Sequence, residues 1–320
     1  MGCSGPRARA VFERHGWLLG AALLAVAMVA PFLFGTYGAY LCALGLVNVV
    51  IAVGLNLLTG NAGQISLCNS SFVAIGAYAS TLISTRTGLS FWLSLPLVGA
   101  ISAAFGALLA LPAMRLRGFY LALATLGFLE ITQVLIEEFA DITGGIRGML
   151  APRPSLFGLP LDTDRQLYFA MLPVACLLVL VAWNLLHSAT GRAFNAIRVS
   201  PEAAQTLGIS PARTKLIAFA LAACYAGVAG ALGAAVVGFI DPAEFGAGAA
   251  LRQVTFIVVG GLGSVAGSVI GAIALTLLPE MLRGVQEYAD FVYAALLLLF
   301  LMALPHGLVG LPSMLRRRAP

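Results

Sequence analysis

Charge is what this sequence lacks most. Only 10% of its 320 residues are Asp, Glu, Lys or Arg, against about a quarter in an ordinary soluble domain. From Trp17 to Ala113 a single charge, Arg86, interrupts the chain. A soluble core of this size cannot hold so much uncharged sequence. The bilayer must be the solvent for most of it, and the mean hydropathy of +0.98 agrees. No polar stretch is long enough to fold separately. Residues 17–311 therefore read as one all-α polytopic membrane domain, with a tail at 1–16 and a basic tail at 312–320.

The templates of catalysis and metal binding are absent too. His15, His187 and His306 lie far apart, and there is no HExxH, no GxSxG and no carboxylate pair inside an apolar run. The five cysteines form no Cys-x-x-Cys pair and no Cys/His cluster, so neither a metal site nor a disulfide framework is expected. Cys3 lacks the apolar stretch that a lipoprotein signal places before its cysteine. No Walker sequence is present, so the chain binds no nucleotide by a P-loop. An enzyme is not expected. The net charge of +5 is no nucleic-acid footprint, because the basic residues gather in tails and loops: Arg7, Arg9 and Arg14, Arg115 and Arg117, Arg192 to Lys215, and Arg316 to Arg318. That distribution follows the positive-inside rule.

What is present is a series of apolar runs. About 20 residues span the hydrocarbon, and runs fall near 17–34, 38–58, 65–85, 91–112, 119–138, 167–187, 216–238, 253–278 and 289–305. With the Arg-rich N-terminus in the cytoplasm, 139–166 falls outside and the 188–215 loop inside. Nine crossings would then strand Arg316–Arg318 outside. The run at 253–278 holds Gly260, Gly261 and Gly263, which disfavour a continuous helix. A broken or re-entrant segment there gives about eight transmembrane helices and two cytoplasmic termini. The alternative is that the run at 65–85 is the irregular one.

Three polar features interrupt this pattern. The first runs from Gly54 through Asn56, Asn61 and Gln64 to Ser66, and extends to Asn69. It is either a polar turn at the surface or a break at membrane depth that lines a solute path. The second is Glu130, the acid well inside an apolar run, which calls for a partner or a cavity. The third is the basic loop 188–215. Ser200 and Pro201 have the chemistry of an N-cap and first helical residue, and Gly208 that of a helix stop. A short helix over Glu202–Leu207 is the result.

Glu202-Ala203-Ala204, three residues, then Gly208 resembles the signature of importer permeases driven by ATP-binding-cassette subunits. The chain as a whole resembles the branched-chain amino acid permease family of the LivM/LivH type. The resemblance is carried by Gly54-Leu55-Asn56-Leu57, Gly60–Leu67, Gly76-Ala77-Tyr78, Thr143-Gly144-Gly145, Gly191-Arg192-Ala193, Ala196-Ile197-Arg198, Leu207-Gly208-Ile209 and Val259–Ser264. Its longer outer segment and Arg-rich N-terminus look more like LivM. The resemblance implies a multi-pass subunit of the bacterial inner membrane. It also implies a second homologous permease, two ATPase subunits that carry the ATP and Mg, and an extracytoplasmic solute-binding protein. Arg192, Arg198, Glu202, Ala203, Ala204 and Gly208 would couple to the ATPase. Asn56, Gln64, Ser66, Asn69, Glu130, Gly144 and Gly145 would line the solute path. Val199-Ser200-Pro201, Cys68–Ser71 and Ile146-Arg147 depart from the family pattern, which leaves urea or short amides open as solutes. A stand-alone channel or secondary carrier is the rival reading; it would need no docking helix.

Overall fold

A computed structural model describes residues 28–29, 31–32, 35–116, 118–156 and 159–281. The expected spans at 17–34 and 289–305, both tails and the Arg316–Arg318 triplet lie outside the described residues, apart from four positions near residue 30. Among the described residues, five helices are long and apolar enough to cross a membrane. They belong to the following order: α1 (Gly35–Leu55), α2 (Asn69–Thr87), α3 (Phe91–Ala113), α4 (Phe119–Glu138), a short α5 (Ala140–Thr143), α6 (Asp164–His187), α7 (Ala189–Val199), α8 (Pro201–Thr206), α9 (Pro211–Val237), α10 (Ala247–Gly260) and α11 (Val265–Met281).

The centre of the bundle is α9, 27 residues rich in alanine and glycine. Small side chains let backbones approach closely, which is how helices associate where lipid offers no hydrophobic drive. A Cβ added at Gly76 of α2 would overlap the Gly227 carbonyl of α9, and one at Gly230 would overlap the Val73 carbonyl of α2. Gly106 of α3 likewise faces Phe219 and Ala223. So α9 is clamped by α2 on one side and α3 on the other. Tyr225 adds a polar tie, its hydroxyl donating to the Leu178 carbonyl of α6 at 2.8 Å. Tyr225→Phe is expected to lower stability by about 1 kcal/mol, the net value of one such bond. Detergent-denaturation midpoints of the two proteins would check this.

The ends of the bundle differ. At one, Ala110 and Ala113 of α3, Leu121 of α4, Phe194 and Ile197 of α7, Ala204 of α8 and Phe219 of α9 form one apolar cluster. Arg192, Arg198 and Arg213 belong to the same elements, Arg115 lies in the turn between α3 and α4, and this is the basic end. At the other, two short strands pair antiparallel, Met149 with Ile240 and Leu150 with Phe239. This is the strand end.

Two segments break the helical pattern. The chain leaves α1 through a π-helical stretch, Asn56–Asn61, and runs non-helically to Asn69. After α9 it folds through Phe239–Ile240 and a 3-10 turn at Pro242–Phe245, then enters α10 and α11. These two form an antiparallel hairpin in which Gly260 meets Gly267 and Gly271 meets the Phe256 carbonyl. With 14 residues, α10 is about 21 Å long, too short for the hydrocarbon alone. It stops because Gly261 takes a φ of 122°, and Gly263 follows at 86°.

Candidate functional site

The two breaks meet. Asn56 Oδ1 accepts from the Gly263 N–H at 2.8 Å, and Asn61 Nδ2 donates to the Gly263 carbonyl at 3.4 Å. Both asparagines are buried, and a Cβ at Gly60 would collide with Asn56 Oδ1 and the Gly263 nitrogen. The π-helical stretch therefore grips the hairpin tip through main-chain atoms that a helix would otherwise have consumed. A tip lacking that grip would leave a part-buried N–H unpaired, at about 1–3 kcal/mol.

Towards the strand end, Asn69 at the start of α2 donates from Nδ2 to Gln253 Oε1 of α10 at 2.8 Å. Both residues are buried. Above this bond lies a cavity of about 740 Å³ between α1, α2, α9, α10 and α11. Val47, Ile51, Val73, Phe256 and Leu275 give it apolar walls, and α9 contributes the small residues Ala229, Gly230, Gly233 and Ala234. Asn48 and Thr276, joined at 2.9 Å, are the polar spot in the wall. Asp241, Glu244 and Arg252 supply charge, with Arg252 Nη2 3.5 Å from Glu244 Oε2. An aliphatic interior with a few converging polar groups and a volume of several hundred Å³ is the usual make-up of a small-molecule site.

On both sides of the Asn69–Gln253 bond the polarity continues. Asn56 Nδ2, Thr59 Oγ1, Asn61 Oδ1, Asn69 Oδ1, Ser70 Oγ and Ser71 Oγ are buried without a hydrogen-bond partner among the described residues. Buried polar atoms are nearly always paired. The six here gather on two segments, Asn56–Asn61 and the first turn of α2.

The residues singled out in the sequence divide as follows. Asn56 and Asn69 sit at this junction. Gln64 is buried, its amide donating to the Ala62 carbonyl at 3.1 Å, and Ser66 pairs with Cys68 at 3.1 Å. Glu130 is exposed on α4, on a face with Leu123, Gly127, Ile131 and Val134. Gly144 and Gly145 shape the turn after α5, with φ of 81° and 58°, and Thr143 Oγ1 accepts from the Gly145 N–H. None of Gln64, Ser66, Glu130, Gly144 and Gly145 is in the cavity wall. The wall residues Asn48, Gln253, Thr276, Arg252, Asp241 and Glu244 went unnoticed in the sequence. Gln253 and Arg252 carried the available signal, two polar residues at the head of an apolar run.

At the basic end, Ser200 Oγ accepts from the Ala203 N–H at 3.2 Å and Pro201 opens α8, whose last turn closes on Gly208 at a φ of 81°. Glu202 and Ala203 are exposed, while Ala204 is buried against the bundle. The preceding helix α7 escaped the sequence reading, although its buried Gly191, Phe194 and Ile197 recur at helical spacing. Arg192 reaches back to the His187 carbonyl.

The family described as branched-chain amino acid transport system, permease component, matches residues 37–301. The high-affinity branched-chain amino acid transport system permease protein LivM of Salmonella typhimurium is 36% identical over 90% of this chain and 73% of its own length, and LivM of Escherichia coli is equally similar. The LivH permease protein of Escherichia coli is 28% identical, over 84% of this chain and 93% of its own. The autoinducer 2 import system permease protein LsrC of an Enterobacter species is 29% identical over 81% of this chain. No solved structure matches the chain significantly.

Proposed function

We propose a function from the premise that this chain belongs to the branched-chain amino acid transport system permease family. On our reading it is the LivM-like permease subunit of an ATP-driven importer in the bacterial inner membrane. It works beside a second permease, two ATP-binding-cassette subunits and an extracytoplasmic binding protein. The chain binds no ATP or metal itself and catalyses no covalent chemistry. The basic end faces the cytoplasm, in keeping with the excess of arginine there. The α8 helix and Gly208 meet the ATPase, and the strand end receives the solute.

The cavity carries the reading. Its aliphatic walls suit the side chain of leucine, isoleucine or valine, and Asp241, Glu244 and Arg252 suit an ammonium and a carboxylate. The Asn69–Gln253 bond lies below as an inner gate, with the unpaired polar atoms of Asn56, Thr59 and Asn61 along the exit. Alternation between two packed arrangements of the hairpin opens one side or the other, with ATPase contact shifting the balance.

Gly233 provides the direct test. It lines the cavity, and a Cβ there would stand 3.5 Å from Val47 Cγ1, an ordinary contact. Gly233→Leu should fill the space and cut leucine uptake at least about tenfold, since losing one fitted side chain's burial is worth some 1.5–3 kcal/mol. The complex should still purify with both ATPases. Normal uptake of radiolabelled leucine by this variant would move the solute path elsewhere. Uptake that persists without ATPase subunits would instead establish the channel reading.

A further inference from the structure

Arg198 is exposed at the last turn of α7, yet its side chain reaches into the junction of the two breaks. A Cβ added at Gly63 would come within 2.9 Å of Arg198 Cγ, and one at Gly263 within 2.9 Å of its Nη1. Both positions have a positive φ, 69° and 86°. Side chains are thus excluded from both places by backbone conformation and by Arg198 together. The stem lies on the segment leaving α1, and the guanidinium lies on the hairpin tip. The same Gly263 is held from the other side by Asn56 and Asn61.

We infer that Arg198 is a positioning residue that transmits displacement of the coupling helices to the hairpin, rather than a contact to the ATPase. The route is physically continuous. One residue separates α8 from α7, and the Ser200 N–H is still bonded to the Ala196 carbonyl. Arg198 belongs to that last turn and rests on Gly263. The tip ends α10, an unbroken helix whose Gln253 makes the gate bond and whose Arg252 and Phe256 line the cavity. Moving α7 therefore moves α10, while Asn56 and Asn61 keep the tip seated on α1 in one of its two positions. Coupling of this kind needs a packed element with two arrangements that both sites bias. The hairpin fits that description.

The inference rests on the importer reading, and the test separates the two. Spin labels are placed on the full importer in nanodiscs, in a background with the five native cysteines replaced by alanine. Asn195→Cys reports α7, Leu262→Cys reports the hairpin tip, and Leu108→Cys on α3 is the reference. All three positions are exposed. ATP binding should shift both the 108–195 and the 108–262 distances by about 2 Å, the scale of helix shifts in such transitions. With Arg198→Gln the first shift should persist and the second fall below half its size; with Arg198→Lys, which keeps stem and charge, part of it should return. An undiminished 108–262 shift in Arg198→Gln would place the link elsewhere. Loss of both shifts together would make Arg198 a docking contact and overturn the inference. If ATP moves neither distance in the unmutated chain, the importer reading itself falls, and the inference with it.

Discussion

Gly230→Leu should leave little folded protein in the membrane. Even a methyl group at this position overlaps the Val73 carbonyl, and the Cα of Val73 stands only 3.0 Å away. The obstacle is backbone on a buried helix, so no rotamer change can relieve it. Added volume in a packed core costs about 1–3 kcal/mol even where side chains yield. Prising α9 from α2 would also disturb Gly76 against Gly227, which lies along the same contact. That sum consumes much of the roughly 5–15 kcal/mol available to a folded domain. Gel filtration of mild-detergent extracts would read the outcome, with Gly233→Ala, whose new atom meets only ordinary contact, as the control. A normal monodisperse peak for Gly230→Leu would mean that α2 and α9 do not touch as described.

The second large effect falls on transport without loss of the protein. Asn56→Leu keeps the apolar bulk but removes the acceptor of the Gly263 N–H. Leaving that part-buried donor unpaired penalises the seated tip by about 1–3 kcal/mol, which is roughly a five- to 150-fold shift in its occupancy. Leucine uptake should fall by a factor in that range, while the subunits still co-purify. Asn61→Leu should do less, because its bond to the Gly263 carbonyl is the longer one at 3.4 Å. Wild-type uptake by Asn56→Leu would remove the seated tip from the mechanism.

Much of this was legible in the sequence. The runs at 91–112 and 119–138 coincide with α3 and α4 to within a residue, because uninterrupted apolar stretches leave a helix as the way to satisfy the backbone in lipid. The glycines at 260–263 lie where α10 ends, and Asn56 and Asn61 lie where α1 leaves the α-helical path. The pairing of those two breaks was not legible, since 207 residues separate Asn56 from Gly263 and nothing local encodes their contact. Neither was the cavity. Its apolar walls, such as Val47 and Phe256, look like any other residues of a membrane helix. Its charges at Asp241, Glu244 and Arg252 look like an ordinary loop and helix start until the 3-10 turn at Pro242–Phe245 carries them to the cavity wall. The exposed position of Glu130 is likewise a matter of which way α4 turns, which its weak amphipathicity does not encode.

The backbone contact between α2 and α9 also limits how this transporter could be given a different solute. Gly230 belongs to the cavity wall and to that contact at once. The α9 wall is already built from alanine and glycine, so it cannot retreat to admit a larger solute, and at Gly230 it cannot advance to fit a smaller one. Changes in selectivity must come through positions free of that constraint: Gly233 on α9, Val47 and Ile51 on α1, Phe256 on α10 and Leu275 on α11. A library that varies those five positions and leaves Gly230 alone is the one in which new specificities should be found with the fold still standing.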